Sequence, residues 1–340
     1  MDKLQLPAFP KEIPSIPQGY VRPLAALGTL WATYQLYNIA SFTWLHFLRP
    51  SGLTKYKKTS TGAVPWALVT GASDGIGKGF VHELAKAGFN VVLHGRDEKK
   101  LTSVKDAIQK QFPDRHFRFL ILDAIADVDN EEKLSSSIDT LSDIPLKILV
   151  NNVGGNANIG PLMQNLQDAS PLHVNAWLDV SARFPTQITR LTLPHLIKHQ
   201  PSLIINIGSG VSEMACPWLT VYSGAKSYNK SFSRSLHVEL AGQGHDVESI
   251  GILVAEVATE RSGRQTGLTR PSPRAMAKAS LDVAGSGYRD VWAHWGHHLL
   301  FGALSLVPTA VGENFLLKIA EEMKAEERGG RDGPKKPKVQ

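Results

Sequence analysis

Residues 65–87 read PWALVTGASDGIGKGFVHELAKA, and this stretch decides the fold. Pro65–Thr70 is a short apolar run of the kind that fills a buried strand. It breaks at Gly71-Ala-Ser-Asp-Gly75-Ile-Gly77 and continues as a helical pattern over Lys78–Ala87. Strand, glycine turn and helix in that order bring bare backbone close to a pyrophosphate, with the positive end of the helix dipole behind it. The alternation repeats outward. Further strands are expected over Asn90–Leu93, Phe117–Leu122 ending in Asp123, Leu146–Val150 running into Asn151-Asn152-Val153-Gly154, Leu203–Ile207 and Glu248–Val254. Helices are expected over Lys99–Phe112 and Asp129–Leu141. Such alternation implies an α/β fold: a Rossmann-like, doubly wound parallel sheet with its site at the carboxyl ends of the strands.

The fifth strand delivers Ser209, and the helix after it carries Tyr222 and Lys226. Tyr222 and Lys226 are four residues apart, so they share one helical face. An ammonium beside a phenol favours the phenolate and lowers the phenol pKa from about 10 towards the working pH. Ser209 can donate a hydrogen bond to the same oxygen that the tyrosine protonates.

Composition narrows the class. Apolar content of 42% with 20% charged residues describes a globular chain, not a disordered one. The net charge of +6 is concentrated near the ends and is not interleaved with aromatics, which excludes a nucleic-acid stripe. One cysteine, Cys216, excludes an intrachain disulfide framework and suits a reducing compartment. No Cys/His grouping has zinc spacing, so no metal is expected; the adjacent His297 and His298 read as ordinary interfacial residues.

The flanks differ from the centre. Residues 1–23 are a proline-rich tail with no expected core, and residues 24–48 (LAALGTLWATYQLYNIASFTWLHFL) carry no Asp, Glu, Lys or Arg. A helix of that length reaches across a hydrocarbon core of about 30 Å. Gln35, Asn38, Thr43 and His46 interrupt it, so a helix lying on the membrane, or one packed on the domain, remain rival readings. Basic residues are denser after the run than before it, which places the following domain in the cytosol. The expected order is tail 1–23, anchor 24–48, nucleotide-binding domain 63–290, apolar segment 291–325 and basic tail 326–340. Arg261–Pro273 reads as a substrate lid or a plain surface loop. Trp292–Gly312, interrupted by Pro308, reads as a membrane-dipping or lid helix. Lys336 and Lys338 match a dilysine retrieval signal or a solvated tail.

Taken together, Thr70-Gly71-x-x-x-Gly75-x-Gly77, Asn151-Asn152-Val153-Gly154, Ser209 and Tyr222-x-x-x-Lys226 resemble the short-chain dehydrogenase/reductase family over roughly residues 63–290. The flanking apolar segments narrow the resemblance to the branch of very-long-chain 3-oxoacyl-CoA reductases and 17β-hydroxysteroid dehydrogenases. The resemblance implies that Tyr222 is the proton donor, that Lys226 lowers its pKa and holds the nicotinamide ribose, and that Ser209 orients the carbonyl. It implies that Gly71, Ser73, Gly75, Ile76 and Gly77 line the pyrophosphate. It also implies that Asp123 contacts the adenine, that Asn151 and Asn152 lie by the ribose, and that Val257 borders the cofactor.

The second strand ends in His94-Gly95-Arg96 with no carboxylate before the arginine, which favours a 2′-phosphate and hence NADPH. Asp97 reads as a helix cap. Two departures stand out. The family's fourth catalytic position, an asparagine, falls on Ser181 by its spacing to Pro194, with Asn175 nearby; and Ala255-Glu256 replaces a Pro-Gly pair, which brings a charge towards the nicotinamide carboxamide. The resemblance implies reduction of a ketone on a lipophilic substrate, a long-chain 3-oxoacyl-CoA in fatty acid elongation, at the endoplasmic reticulum membrane. Expected partners are the membrane, the lipophilic substrate, and a second copy or elongation-complex proteins. A steroid, polyketide or terpenoid ketone is the alternative substrate, and a non-catalytic scaffold the alternative of another class.

Overall fold

Trp66, Ala67, Leu68 and Val69 are all buried, and the strand they form lies in the middle of a parallel sheet. The computed structural model describes residues 17–155, 160–260 and 262–332, with side chains as far as residue 325. Two units separate at Arg49 and Pro50.

The first unit holds helix α1 (Gln18–Thr43), which ends in a π-helical turn over Trp44–Leu48. It begins earlier than the apolar run suggests, because Gln18–Arg22 and Pro23 join the helix. The spanning expectation is corrected: among the described residues no helix is long and apolar enough to cross a membrane. Length is sufficient at 26 residues. Gln35, Asn38 and the hydroxyls of Thr29 and Thr43 dilute the apolar character, and both hydroxyls turn back onto their own helix at Ala25 O and Ile39 O.

The second unit starts with a 3₁₀ turn, Gly52–Lys57, tied to the sheet by the buried Tyr56 hydroxyl, which donates to Glu248. The strands and helices then alternate: β1 (Trp66–Val69), α2 (Gly75–Lys86), β2 (Asn90–Gly95), α3 (Glu98–Gln109), β3 (Phe117–Ile121), α4 (Glu131–Asp139) and β4 (Leu146–Asn151). After these come α5 (Pro171–Leu178), α6 (Phe184–Lys198), β5 (Ser202–Ile207), α7 (Thr220–Gly242), β6 (Val247–Leu253), α8 (Pro273–Asp282) and β7 (Asp290–Trp292). Last are α9 (Trp295–Leu304) and α10 (Thr309–Asp332).

The strand order is β3-β2-β1-β4-β5-β6-β7, every pair parallel. β1, β2, β4, β5 and β6 are buried throughout, as strands with helices on both faces must be. β3, at the edge, is only partly so. One layer of the core joins Leu68, Val92, Leu146 and Leu149 to Phe184, Ile188 and Leu240. Asp97, Asn130, Ser170 and Ser272 each accept a backbone N–H of the helix they precede, which supports Asp97 as a cap.

The seventh strand escapes the sequence pattern because it is three residues long. It lies so close to β6 that a Cβ on Gly251 would meet Asp290 Oδ1 at 2.5 Å. The apolar segment after it is two helices parted at Pro308, not one, and α10 continues to Asp332 into the stretch expected as tail. Lys336 and Lys338 lie outside the described residues, as does Arg261 at the start of the expected lid.

Candidate active site

The carboxyl ends of β1 and β4 are stitched together by Thr70. Its hydroxyl donates to Val150 O and accepts from the N–H groups of Asn152 (2.9 Å) and Val153 (3.0 Å). Asn152 Nδ2 returns a bond to Thr70 O at 2.9 Å. The turn that follows needs glycine: Gly71 and Gly75 have φ of +65° and +51°, and a Cβ on Gly77 would meet Gly71 O at 2.0 Å. The result is a stretch of bare backbone at the N-terminus of α2.

That turn lines a cavity of about 700 Å³. Of the residues expected to bind a cofactor, Gly71, Ser73, Gly75, Ile76, Arg96, Asp123, Asn152, Tyr222, Lys226 and Val257 line it. Gly77 and Asn151 do not. Gly77 is packed against Gly71 O, and Asn151 is buried behind the site, donating to Thr189 Oγ1 and Asn206 Oδ1 at 2.8 Å each. Arg96 reaches Asp123 at 3.3 Å. Burial works against the Asp123 carboxylate, but the N–H groups of Ile125 and Ala126 and the Arg96 guanidinium outweigh it and hold its pKa below the usual value.

Other lining residues were missed, Lys100 and His94 among them. Lys100, one turn into α3, adds a second cation beside Arg96; a lone surface lysine gives no sequence signal of this. His94 accepts the Gly71 N–H at 3.2 Å, and its ring stacks on Phe184. Burial lowers its pKa to about 4, which keeps the imidazole neutral and able to accept.

At the other end of the cavity Ser209, Tyr222 and Lys226 converge. Lys226 Nζ donates to Ile207 O at 2.8 Å and lies 5.9 Å from the centre of the Tyr222 ring. The expected effect on the phenol is not seen in this arrangement. Burial raises the Tyr222 pKa, with the Ser209 hydroxyl pulling the other way, and burial lowers Lys226 to about 8. The desolvation of both groups outweighs their attraction at this separation. Trp177 packs on the tyrosine with ring centres 5.0 Å apart.

A family model described as short chain dehydrogenase matches residues 65–266. The chain belongs to the short-chain dehydrogenase family. It is 30% identical over 295 residues to a very-long-chain 3-oxoacyl-CoA reductase of Podospora anserina, covering 84% of this chain and 83% of that one. With the Coprinopsis cinerea protein of the same name identity is 31% over 297 residues, covering 84% of each. An Arabidopsis thaliana protein named as very-long-chain 3-oxoacyl-CoA reductase-like is 31% identical over 283 residues, 82% of this chain and 86% of that one. Among solved structures, a 7β-hydroxysteroid dehydrogenase shares the fold with a TM-score of 0.63 at 17% identity, over 74% of this chain and 96% of that one. An NADPH-bound short chain oxidoreductase of Pseudomonas aeruginosa with an atypical catalytic centre has a TM-score of 0.56 at 23% identity, over 66% of this chain and 93% of that one.

As a short-chain dehydrogenase this protein is an NAD(P)-dependent oxidoreductase, and its cavity fits a nicotinamide dinucleotide. The left-handed glycines and the tight Gly77 contact leave the backbone bare where a pyrophosphate would lie, at the start of a helix. From there the cavity runs between Arg96 and Asp123 at one end and Tyr222 and Lys226 at the other.

The departures resolve differently from expectation. Asn175 is exposed on α5, and neither it nor Ser181 lines the cavity. Ser181 is fully buried in a π-helical turn, Asp179–Arg183, and its hydroxyl has no hydrogen-bond partner among the described residues. Four residues on stands Pro185, which has no N–H, so the Ser181 carbonyl lacks its usual helical donor. Asn229 of α7, three residues past Lys226, supplies one: its Nδ2 reaches Ser181 O at 2.6 Å. Glu256 does not bring its charge into the cavity either. Ala255 and Val257 line the wall, while the side chain between them turns outward to Arg264 (3.1 Å) and Arg270 (2.8 Å).

Proposed function

We propose that this protein reduces the ketone of a lipophilic substrate with NADPH, the substrate being a long-chain 3-oxoacyl-CoA of fatty acid elongation. The observation that carries the reading is the convergence of Ser209, Tyr222 and Lys226 on one cavity whose other end holds Arg96 and Lys100. When bound, the nicotinamide supplies a hydride to the carbonyl carbon. Tyr222 donates the proton to the carbonyl oxygen, and Ser209 holds that oxygen by a hydrogen bond. Lys226, an ammonium below pH about 8, holds the ribose and stabilises the phenolate left behind. Arg96 and Lys100 pair with the 2′-phosphate, which is the argument for NADPH over NADH. Asp123 accepts from the adenine amine, and Asn152 supports the ribose side.

The substrate class is supported by the names of the fungal and plant relatives. We place the protein at the cytosolic face of the endoplasmic reticulum, on the membrane and not through it. The exposed aromatics Trp31, Tyr34, Tyr37 and Trp44 on the first unit, and Leu306, Val311 and Phe315 on the second, suit an interfacial location. Other elongation enzymes or a second copy would be its partners there.

The test is NADPH oxidation by the purified full chain with 3-oxoacyl-CoA esters of increasing length, ketosteroids and polyketide-type ketones. Turnover on the long acyl esters with Tyr222→Phe reduced about 10²- to 10⁴-fold is expected, since a positioned acid contributes that much. Turnover on steroids or polyketide ketones alone would move the substrate to the alternative class. A Tyr222→Phe variant as active as the parent would refute the mechanism. No turnover on any of them, with NADPH bound, would favour the scaffold reading.

A further inference from the structure

The match to the family model stops at residue 266, yet the cavity wall leans on a side chain well beyond it. His297, on the first turn of α9, is completely buried. Its Nδ1 accepts the N–H of Ala255 at 3.3 Å, and its Nε2 lies 3.1 Å from Glu256 O. These two contacts settle the tautomer: Nδ1 must be bare to accept, so Nε2 carries the hydrogen and donates. Burial pushes the pKa of the imidazole to about 4, so the neutral form with this donor–acceptor pair persists at ordinary pH.

The backbone that His297 holds belongs to the cavity wall, because Val254, Ala255 and Val257 line it. In this chain nothing covalent stiffens that stretch, for Ala255 and Glu256 are both free of ring constraint. The segment leaving it is fastened to the same helix turn: a Cβ on Gly296 would meet Leu268 O at 2.2 Å. Outside, Arg264 and Arg270 grip the Glu256 carboxylate and keep it turned away. A little further along α9, Phe301 lies against Gly210, beside Ser209. The wall is therefore braced from a helix that the family model does not include.

We infer that His297 is a positioning residue for the dinucleotide: by bonding Ala255 N–H and Glu256 O together, it fixes the cavity wall against which the cofactor packs. The inference rests on the reductase reading above and deepens it. It assigns His297 no contact with substrate and no proton transfer.

The experiment is a fluorescence titration of NADPH into the full-length protein, with thermal melting and steady-state kinetics beside it, for His297→Leu and His297→Gln. Leucine fills the space without polar atoms. A glutamine carboxamide presents an acceptor and a donor at a spacing close to that of the two ring nitrogens. The expected result is an NADPH Kd raised tenfold or more in H297L, with KM for NADPH raised alike and kcat within threefold of the parent. H297Q should bind NADPH within threefold of the parent. H297L binding within twofold of the parent, or H297Q binding no better than a folded H297L, overturns the inference. If H297L does not fold, Gly296→Ala is read in its place: the added methyl displaces the same turn, a tenfold weaker Kd supports the inference and an unchanged Kd overturns it. Failure of the parent protein to bind either NADPH or NADH overturns the reductase reading and this inference together, a result distinct from a variant that binds normally.

Discussion

Asn229→Leu removes the donor that the Ser181 carbonyl takes from α7 and replaces it with an apolar group of similar size. Pro185 cannot supply the missing N–H, so a buried carbonyl loses its side-chain partner. An unsatisfied buried acceptor costs about 1–3 kcal/mol, and a domain of this size loses about 2–4 °C of melting temperature for each kcal/mol. Pro185→Ala should undo the damage, because it returns an N–H four residues after Ser181. On its own it costs about 0.4–1 kcal/mol by freeing the unfolded chain. The double variant should then be more stable than the sum of the two single changes by about 1 kcal/mol or more. Urea unfolding of the four proteins of this cycle measures the coupling directly. Additive effects, or an N229L variant within about 0.5 kcal/mol of the parent, would refute the idea that Asn229 replaces a donor the proline took away.

Three further outcomes follow from the same geometry. Arg96→Ala and Lys100→Ala should each weaken NADPH binding about 10- to 100-fold, since a charge-assisted bond contributes about 1.5–3 kcal/mol. Binding of NADH should stay within about threefold, and an equal loss for both dinucleotides would show that neither cation meets the 2′-phosphate. Lys226 is held near pH 8, below the ordinary lysine value of about 10.4, so between those values the unfolded chain keeps a proton that the folded chain has released. The stability of the unliganded protein should therefore rise with pH across that window, its cost being fully present below it. Urea midpoints should show the rise flattened in Lys226→Met, and an unchanged slope there would exclude Lys226 as its source. The protein should float with anionic liposomes, and removing residues 1–49 should weaken flotation while leaving NADPH binding intact; unchanged flotation would move the membrane contact to the exposed residues of α9 and α10.

The sheet was legible because its first six strands are short, largely apolar runs that alternate with helical stretches, and the glycine turn, Asp123, Asn151-Asn152 and Ser209 all lie at or just past the ends of such strands. Ser209, Tyr222 and Lys226 could be read for the same reason: a strand end and one helical turn are local geometry. What could not be read depends on partners far along the chain. Glu256 looked like a charge in the cavity until the backbone alternation turned it towards Arg264 and Arg270. His297 looked like any interfacial histidine, because nothing in His297-His298 names Ala255 as a neighbour. Asn229 carries no signal either, since its partner is a carbonyl orphaned by a proline on another helix. The polar positions of α1 were visible, but their effect is a sum over the whole helix and one residue at a time does not decide it.

The bracing of the cavity by α9 has a consequence for how the protein comes into being. A ribosome delivers the glycine turn, Ser209, Tyr222 and Lys226 in the first two thirds of the chain, and β6 is complete at Leu253. His297 and Phe301 emerge some 40 residues later. A nascent chain halted between them would hold every residue that acts on the carbonyl, yet its cavity would lack the side that keeps Ala255 and Glu256 in place. If His297 positions the dinucleotide as inferred, tight binding is reached only after β6, once α9 has been made.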